Sequence, residues 1–541
     1  MGKDIKRPVP LEEKTKEGLN KLEEKYKKGK NINNKTLDSN LDKNLAYIEG
    51  IFNKVSDFAV KEFIIKGDRP IKAGLIYIGG IVEETIVNDV ILKQLMVTSR
   101  DRSIDNDISN TGYLDKVEGI LLNVSGVQRE HRWAELIDYI LCGHAILLVD
   151  GERDSLVLDI HTREKRSVAD PETETVVRGP REGFIEDYNT NLALIRTKIK
   201  TPDLKYESFK LGRVSKTHVT IAYIEGIADD KLVEETTKRL ESIDIDIINE
   251  SGIIEQLIED NPFSPFPQML NTERPDGVAA ALNEGRIAVI TDGTPFVLTF
   301  PAVFFHFLQA NEDYYERGLF PTAVRLLRYM AFLIALLGPA TYISITTFHQ
   351  EMIPSALLIS IAASRSGVPF PAIIEALIME VAFELLREAG LRLPKPVGQA
   401  ISIVGALIVG EAAVQAGLVS QAMVIVVALT GIASFIIPSH SMGTGVRLLR
   451  FPLMLLAAGW GMFGITFGMM LLLIHLSSLR SFGVPYLSPV SPTHPIGFKD
   501  VLFKAPEWFK NRRPDFIVKR DKQRIKDNAM PRPPKEEEDE S

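Results

Sequence analysis

AVRLLRYMAFLIALLGPATYISITT, Ala323 to Thr347, is the stretch on which the reading of this chain turns. Its two charges, Arg325 and Arg328, sit at its entry, and the rest is long enough to cross a bilayer, which takes about 20 mainly apolar residues. Three further stretches downstream qualify in the same way. They are VGQAISIVGALIVGEAAVQAGL (Val397 to Leu418), VSQAMVIVVALTGIASFII (Val419 to Ile437) and FPLMLLAAGWGMFGITFGMMLLLIHL (Phe451 to Leu476). The middle two follow one another so closely that they predict a helical hairpin. Thr294 to Leu308 (TPFVLTFPAVFFHFL) reads as an interfacial or re-entrant segment running into NEDYYERG at the headgroup level. Met352 to Ala363 is only half a span. Pro371 to Ala389 is long enough to cross but carries Glu375, Glu380, Glu384, Arg387 and Glu388, so it either lies in the interface or lines a polar cavity. Four to six crossings are expected, and four would place both charged tails on the cytoplasmic side.

Upstream of these spans the composition changes to that of a soluble α/β protein, and an internal repeat is visible. AGLIYIGG (Ala73 to Gly80) and HVTIAYIEG (His218 to Gly226) each precede a helical stretch. WAELIDYILCGHAILLVDG ends at Gly151 and VAAALNEGRIAVITDG at Gly293, so the two copies lie roughly 142 to 146 residues apart. Asp150-Gly151 and Asp292-Gly293 predict tight hairpin turns. The fold class is therefore α/β plus membrane all-α: two repeated α/β lobes followed by a polytopic transmembrane helical bundle. The domain reading is 1–45 a charged disordered tail, 46–165 the first lobe, 166–204 a connector, 205–300 the second lobe, 301–490 the transmembrane domain and 491–541 a charged C-terminal tail. Paired lobes of this kind suit either a ligand-binding cleft or a structural, oligomerising platform.

The chain's 25% charged residues and net charge of −8 leave no basic stripe, so nucleic acid is not an expected partner. The single Cys142 excludes an intramolecular disulfide and is read as a core thiol. His131, His144, His161 and His218 are scattered without ligand spacing, so no metal and no cofactor is expected. No nucleophile–base set, Walker loop or dinucleotide fingerprint appears, and an enzyme is not expected. The first 30 residues lack the apolar core of a secretory signal, so the N-terminal half is expected in the cytoplasm.

Within the spans, Glu411 and Gln415 stand one helical turn apart, and a carboxylate at membrane depth needs a partner, a pore or a helix interface. With Glu380 and Glu384 they are the pore or helix-interface candidates. Gly459, Gly461, Gly464 and Gly468 permit close helix packing in the last span.

Several blocks carry a family resemblance. They are VVRGPREGFIEDYNTNLALIR (Val176 to Arg196), IEDNPFSPFPQMLNTERPD (Ile258 to Asp276), NEDYYERG (Asn311 to Gly318), the long run from Val368 to Ser420, and SFGVPYLSP (Ser481 to Pro489). On them the chain resembles the A subunits of GerA-type spore germinant receptors. The resemblance implies a multi-pass protein of the inner spore membrane, working with a transporter-like B subunit and a lipoprotein C subunit. It implies a homo-oligomer, a pentamer, that acts as a nutrient-gated ion channel and triggers germination by cation release. The alternatives are a non-conducting scaffold that couples a sensor to other effectors, and a related stage V sporulation paralogue associated with dipicolinic acid release. The NTERPD, SPFPQ and DYYER blocks favour the receptor subunit.

Overall fold

The structure is a computed structural model that describes residues 35–525 apart from 66–69, 97–112, 122–125, 162–169, 172, 318, 393–407 and 496. The first 34 residues, the first half of the Val397–Leu418 stretch and the last 16 residues lie outside the described ones.

The first lobe includes α1 (Leu41–Ile51), β1 (Phe58–Ile65), β2 (Ile71–Ile78), β3 (Val127–Glu130), α2 (Trp133–Leu141), β4 (His144–Val149) and β5 (Ser155–Asp159), with helical turns at Ile86–Leu92, Lys93–Met96 and Tyr113–Ile120 between β2 and β3. Its antiparallel sheet has the order β1-β2-β4-β5-β3. The second lobe includes α3 (Tyr188–Lys198), β6 (Leu204–Leu211), β7 (Thr217–Ile224), β8 (Leu270–Thr272), α4 (Pro275–Asn283), β9 (Ile287–Thr291) and β10 (Val297–Phe300), with helices at Asp230–Glu241 and Ser251–Ile258 between β7 and β8. Its sheet repeats the order as β6-β7-β9-β10-β8. Both faces of each sheet are covered: Leu75 and Leu147 point into one apolar cluster, Ile76 and Ile146 into another on the opposite face. This explains why β2, β4, β7 and β9 read as unbroken apolar runs rather than as alternating ones.

The Asp-Gly pairs turn β4 into β5 and β9 into β10, with Gly151 and Gly293 at φ +91° and +84°. Such angles are open to glycine at little cost. The duplication also extends further upstream than the spacing of the strands suggests. Asn44 of α1 accepts from Asp38 N and donates to Asp38 O, at 3.0 and 2.7 Å; Asn191 of α3 does the same with Ile185, at 2.9 and 2.5 Å. Residues 188–198, within the stretch read as a connector, are thus the opening helix of the second repeat. Cys142 is exposed rather than in the core, because it falls at the C-cap of α2, off its apolar face. The lobes meet where Tyr206 of β6 exchanges backbone hydrogen bonds with Lys54 and Ser56, and where the buried Arg196 grips Asp57 at 2.9 and 3.2 Å.

The helical half comprises α5 (Leu319–Phe348), α6 (Ser355–Arg365), α7 (Ala372–Arg392), α8 (Gln421–Ile436) and α9 (His440–Ser478). Among the described residues α5 is long and apolar enough to cross a membrane, as is α9 when its 39 residues are taken as one helix; α8, at 16 residues, is shorter than the expected span. It is bounded by the Ser420 N-cap, whose hydroxyl accepts from Met423 N, and by Pro438. Phe304, Phe307 and Leu308, expected at an interface, are buried between the second lobe and α5.

The largest departure is in α9. The expected straight span from Phe451 to Leu476 reverses direction at Gly461, which has φ +60° and ψ −139°. A Cβ on Gly468 would lie 2.6 Å from Leu453 Cδ2, and one on Gly464 would strike the Leu456 carbonyl. A straight helix would separate residues 453 and 468 by about 22 Å at about 1.5 Å rise per residue. Arms 440–460 and 462–478 are therefore antiparallel. The bend abuts Phe348 and His349 at the far end of α5, while Gly445 and His475 both return to the second lobe.

Gly461→Ala should lower stability by roughly 1–3 kcal/mol, since this backbone region is all but closed to other residues. Gly459→Ala, where a Cβ would meet open space, should be near neutral. Thermal melts of the detergent-solubilised protein compare the two directly, and equal midpoints would remove the bend at Gly461.

Candidate functional site

Three segments far apart in sequence meet where the second lobe joins the helical half. After β10 the chain passes through short 3-10 turns at Phe304–Leu308 and Asn311–Tyr314 and enters α5. Asp313 ends up buried, and two arginines from the first turns of α5 fold back onto it. Arg328 Nη1 donates to both carboxylate oxygens at 2.8 and 2.7 Å, and Arg325 Nη2 donates at 3.3 Å. Arg325, fully enclosed, also donates through Nη1 to Asp500 Oδ1 at 3.1 Å and to its carbonyl at 2.6 Å. Asp500 comes from the stretch read as a charged tail, and it further accepts from Tyr314 Oη and Lys510 Nζ at 3.0 and 3.1 Å. Burial and the Asp500 charge hold the Tyr314 phenol well above its usual range. The tyrosines expected at headgroup level instead face inward.

The quoted sequence blocks assemble around this point. Arg274 is buried and reaches Glu174 O, Pro180 O and Asp276 Oδ2 at 3.1, 2.8 and 2.9 Å. Tyr315 also donates to Asp276. Between residues 264 and 268 the loop receives the return of α9: Ser264 Oγ lies 3.0 Å from His475 Nε2, and a Cβ on Gly445 would strike Pro265 O. Just beyond α9, Ser481 Oγ donates to Gln268 O at 2.7 Å, Tyr486 Oη to Pro267 O at 2.7 Å, and Phe482 stacks on Phe300 with centroids 4.1 Å apart. Between α4, the 303–315 segment and residues 489–524 lies a cavity of about 290 Å³, lined by Ala280, Ala281, Arg286, Phe305 and His306 among others. Arg286 Nη2 is 2.5 Å from His306 Nε2, and burial together with Arg286 and Arg325 pushes that imidazole well below its ordinary range.

A second charged group lies among the helices. Glu380 and Arg450, both buried, form an ion pair, and Arg450 Nε donates to Ala335 O at 2.8 Å. Beside them Glu384 meets Arg447 at 3.3 Å, and Arg387 donates to Ser434 Oγ at 2.5 Å with its guanidinium 4.3 Å over the Phe435 ring. Glu375 accepts from Ser420 N at 2.8 Å and faces Arg365 Nε at 3.4 Å. Glu380 and Glu384 are thus brought together. Glu411 and Gln415 are not part of this group: they are exposed, with Gln415 Nε2 donating to Glu411 Oε1 at 3.3 Å. Gly464 and Gly468 pack inside the α9 hairpin, Gly461 makes its bend, and Gly459 faces open space. Among the described residues no group of His, Cys, Asp and Glu is placed to hold a metal ion. Arg447 and Arg450 escaped sequence reading although they stand three residues apart in GVRLLRF, complementary to the acidic helix; Asp500 gave no local signal beyond the aromatic residues around it.

A family model described as Bacillus/Clostridium GerA spore germination protein matches residues 46–516. Spore germination protein KA of Bacillus subtilis (strain 168) is 46% identical over 92% of this chain and 90% of its own length. Spore germination protein GerLA of Bacillus cereus is 38% identical over 90% of this chain and 97% of its own. The crystal structure of the N-terminal domain of the A subunit of the Bacillus megaterium spore germinant receptor GerK3 is 39% identical, covers 50% of this chain and 98% of that one, and has a TM-score of 0.40.

Removing the shared acid takes the carboxylate from the buried Arg328 and leaves Arg325 with Asp500 alone, so Asp313→Asn should cost roughly 3–5 kcal/mol. It should also free residues 497–525 for proteolysis, read by limited digestion; a wild-type melt and digest would refute the shared-acid arrangement. A pH effect follows from Glu174. Thr272 Oγ1 donates to it at 2.5 Å, yet enclosure of its carboxyl raises the pKa to about 7. A raised carboxylate pKa favours folding below the unfolded value and loses that contribution as pH rises through about 7. Glu174→Gln should therefore flatten the fall in stability between about pH 5 and 8 relative to wild type, in paired thermal melts.

Proposed function

The chain belongs to the GerA family of Bacillus/Clostridium spore germination proteins, and from that premise we propose that it is the A subunit of a nutrient germinant receptor, acting as an oligomeric, nutrient-gated cation channel. It resides in the inner spore membrane beside a transporter-like B subunit and a lipoprotein C subunit. The observation that supports this reading best is the charge held within the helical half. A plain anchor has no need of Glu375, Glu380, Arg387 and Arg450, because charged groups at membrane depth are costly.

The ends of the helices support an even number of passes. α5 runs from the lobe to the far side, α7 runs back, and α8 runs from the Glu375 level toward the lobe again. The two arms of α9 add an outward and a return leg. Because α5 starts at the second lobe and the segment after α9 returns to it, the lobes and the C-terminal segment share the cytoplasmic side. α8 rises about 24 Å at about 1.5 Å per residue, which a modest thinning of the bilayer accommodates.

In this arrangement Glu380 and Arg450 are paired with each other within the protomer and serve registry, whereas Glu411 and Gln415 face outward, toward a neighbouring copy and the axial path. Gating begins at the junction, where motion of the second lobe pulls on Asp313 and Asp500 and so on α5. The same linkage would suit a non-conducting scaffold that passes on a signal from the B subunit. Conductance separates the two. The protein reconstituted in planar bilayers should carry cation current, and Glu411→Gln should shift its cation selectivity severalfold without changing the melting midpoint. Silence of the bilayers with every gating mutant and partner subunit tested would leave the scaffold.

A further inference from the structure

The chain has a formal charge of −8, yet residues 497–512 hold four Lys and Arg against two Asp and Glu, a local balance of +2. The same segment exposes Leu502, Phe503, Trp508 and Phe509, with Phe503 59% accessible. A merely solvated tail has no use for these side chains, and a cluster of them on a surface marks a binding face. The segment is not loose. Lys504 N donates to Thr322 Oγ1 at 3.2 Å, Lys504 Nζ to Glu316 O at 3.0 Å, and Tyr329 Oη to Val501 O at 2.8 Å. It therefore lies along the first turns of α5, beside Leu319 and Phe320, which are 91% and 65% exposed.

The cations divide by direction. Lys504 and Lys510 are buried and committed inward, whereas Arg512 is exposed and Lys499 lies 4.1 Å from the centre of the Phe509 ring. Aromatic edges, aliphatic side chains and basic groups thus share one surface at the lobe-side end of the helices. That mixture matches the headgroup layer, where aromatic rings settle and where each Lys or Arg near anionic lipid contributes about 1 kcal/mol. The exposed apolar residues also continue onto the outward face of α5 through Leu326, Leu327 and Met330. A protein partner would cover such a face with few lysines near its centre.

We propose that residues 497–512 are a peripheral membrane anchor that seats in the headgroup layer and takes anionic phospholipid there. The proposal rests on the reading that α5 crosses the bilayer. Because Asp500 within this anchor is bonded to Arg325, the lipid surface becomes a third fixed point of the junction.

Nitroxide labels introduced in the full chain by Phe503→Cys or Phe509→Cys, in a Cys142→Ser background, test it in nanodiscs of phosphatidylcholine with and without phosphatidylglycerol. Leu333→Cys on α5 and Arg213→Cys on the second lobe are the lipid and water references. Labels at 503 and 509 should relax with oxygen rather than with a water-soluble nickel complex when phosphatidylglycerol is present. Lys499→Glu with Arg512→Glu should reduce that preference severalfold and leave position 333 unchanged. Aqueous behaviour at 503 and 509 with lipid behaviour at 333 overturns the anchor. So does shielding from both reagents with spin–spin coupling between copies, which would assign the face to a second chain. Aqueous behaviour at 333 as well would mean that the crossing reading itself had failed.

Discussion

Arg325 and Arg328 enter the helical half with their guanidinium groups turned back onto Asp313, and Arg325 also holds Asp500. Charges removed from water in this way are tolerable only with close partners, because the desolvation of each ion amounts to several kcal/mol. One carboxylate serves two arginines, so the second acid, supplied from 175 residues away in sequence, is needed to complete the set. The consequence is geometric. The end of the second lobe, the start of α5 and the segment after α9 cannot separate without exposing a buried ion. The stretches around this cluster then have little freedom: Tyr314 and Lys510 are drawn to Asp500, while Arg274 and Tyr315 meet at Asp276 a few residues away.

The two lobes are alike in topology and unlike in attachment. Asn44 and Asn191 close the same local loop, and the strand orders correspond one for one. Yet the loop that receives Gly445, His475, Ser481 and Tyr486 belongs to the second lobe. Within the described residues the first lobe is tied to the second through Arg196–Asp57 and the Tyr206 backbone pairing. A signal arising in the first lobe would therefore pass through the second, across contacts that include Arg196–Asp57, Lys54–Glu207 and Ser208–Ser56.

What could be read from sequence follows the range of the interactions involved. The apolar strands, their Asp-Gly turns and α5 are written in local composition, and they appear where the pattern puts them. The bend at Gly461 is not, because WGMFGITFG has the same hydropathy whether the helix continues or reverses; only the backbone angle of one glycine tells them apart. Four glycines in that stretch read as a packing surface for another helix, whereas two of them pack against the helix's own preceding arm. Asp500 was hidden for a different reason. Its partner is Arg325, and nothing within the charged C-terminal stretch distinguishes an acid that will be buried from one that stays in water. Phe503, Trp508 and Phe509 were the only local indication that this stretch is more than a solvated tail.

The same distinction between satisfied and unsatisfied charge bears on the proposed channel. Glu380 is spoken for: it meets Arg450, which in turn reaches the Ala335 carbonyl, and so ties α7, α9 and α5 in one register. A permeating cation would have to compete with that guanidinium. Among the described residues Glu411 has the Gln415 amide, a neutral donor, as its hydrogen-bond partner. A ring of copies would place these carboxylates around a common axis, where their mutual repulsion in a low-dielectric setting is relieved by a cation. On this argument the residue that is least anchored within the protomer is the one best suited to the path between protomers.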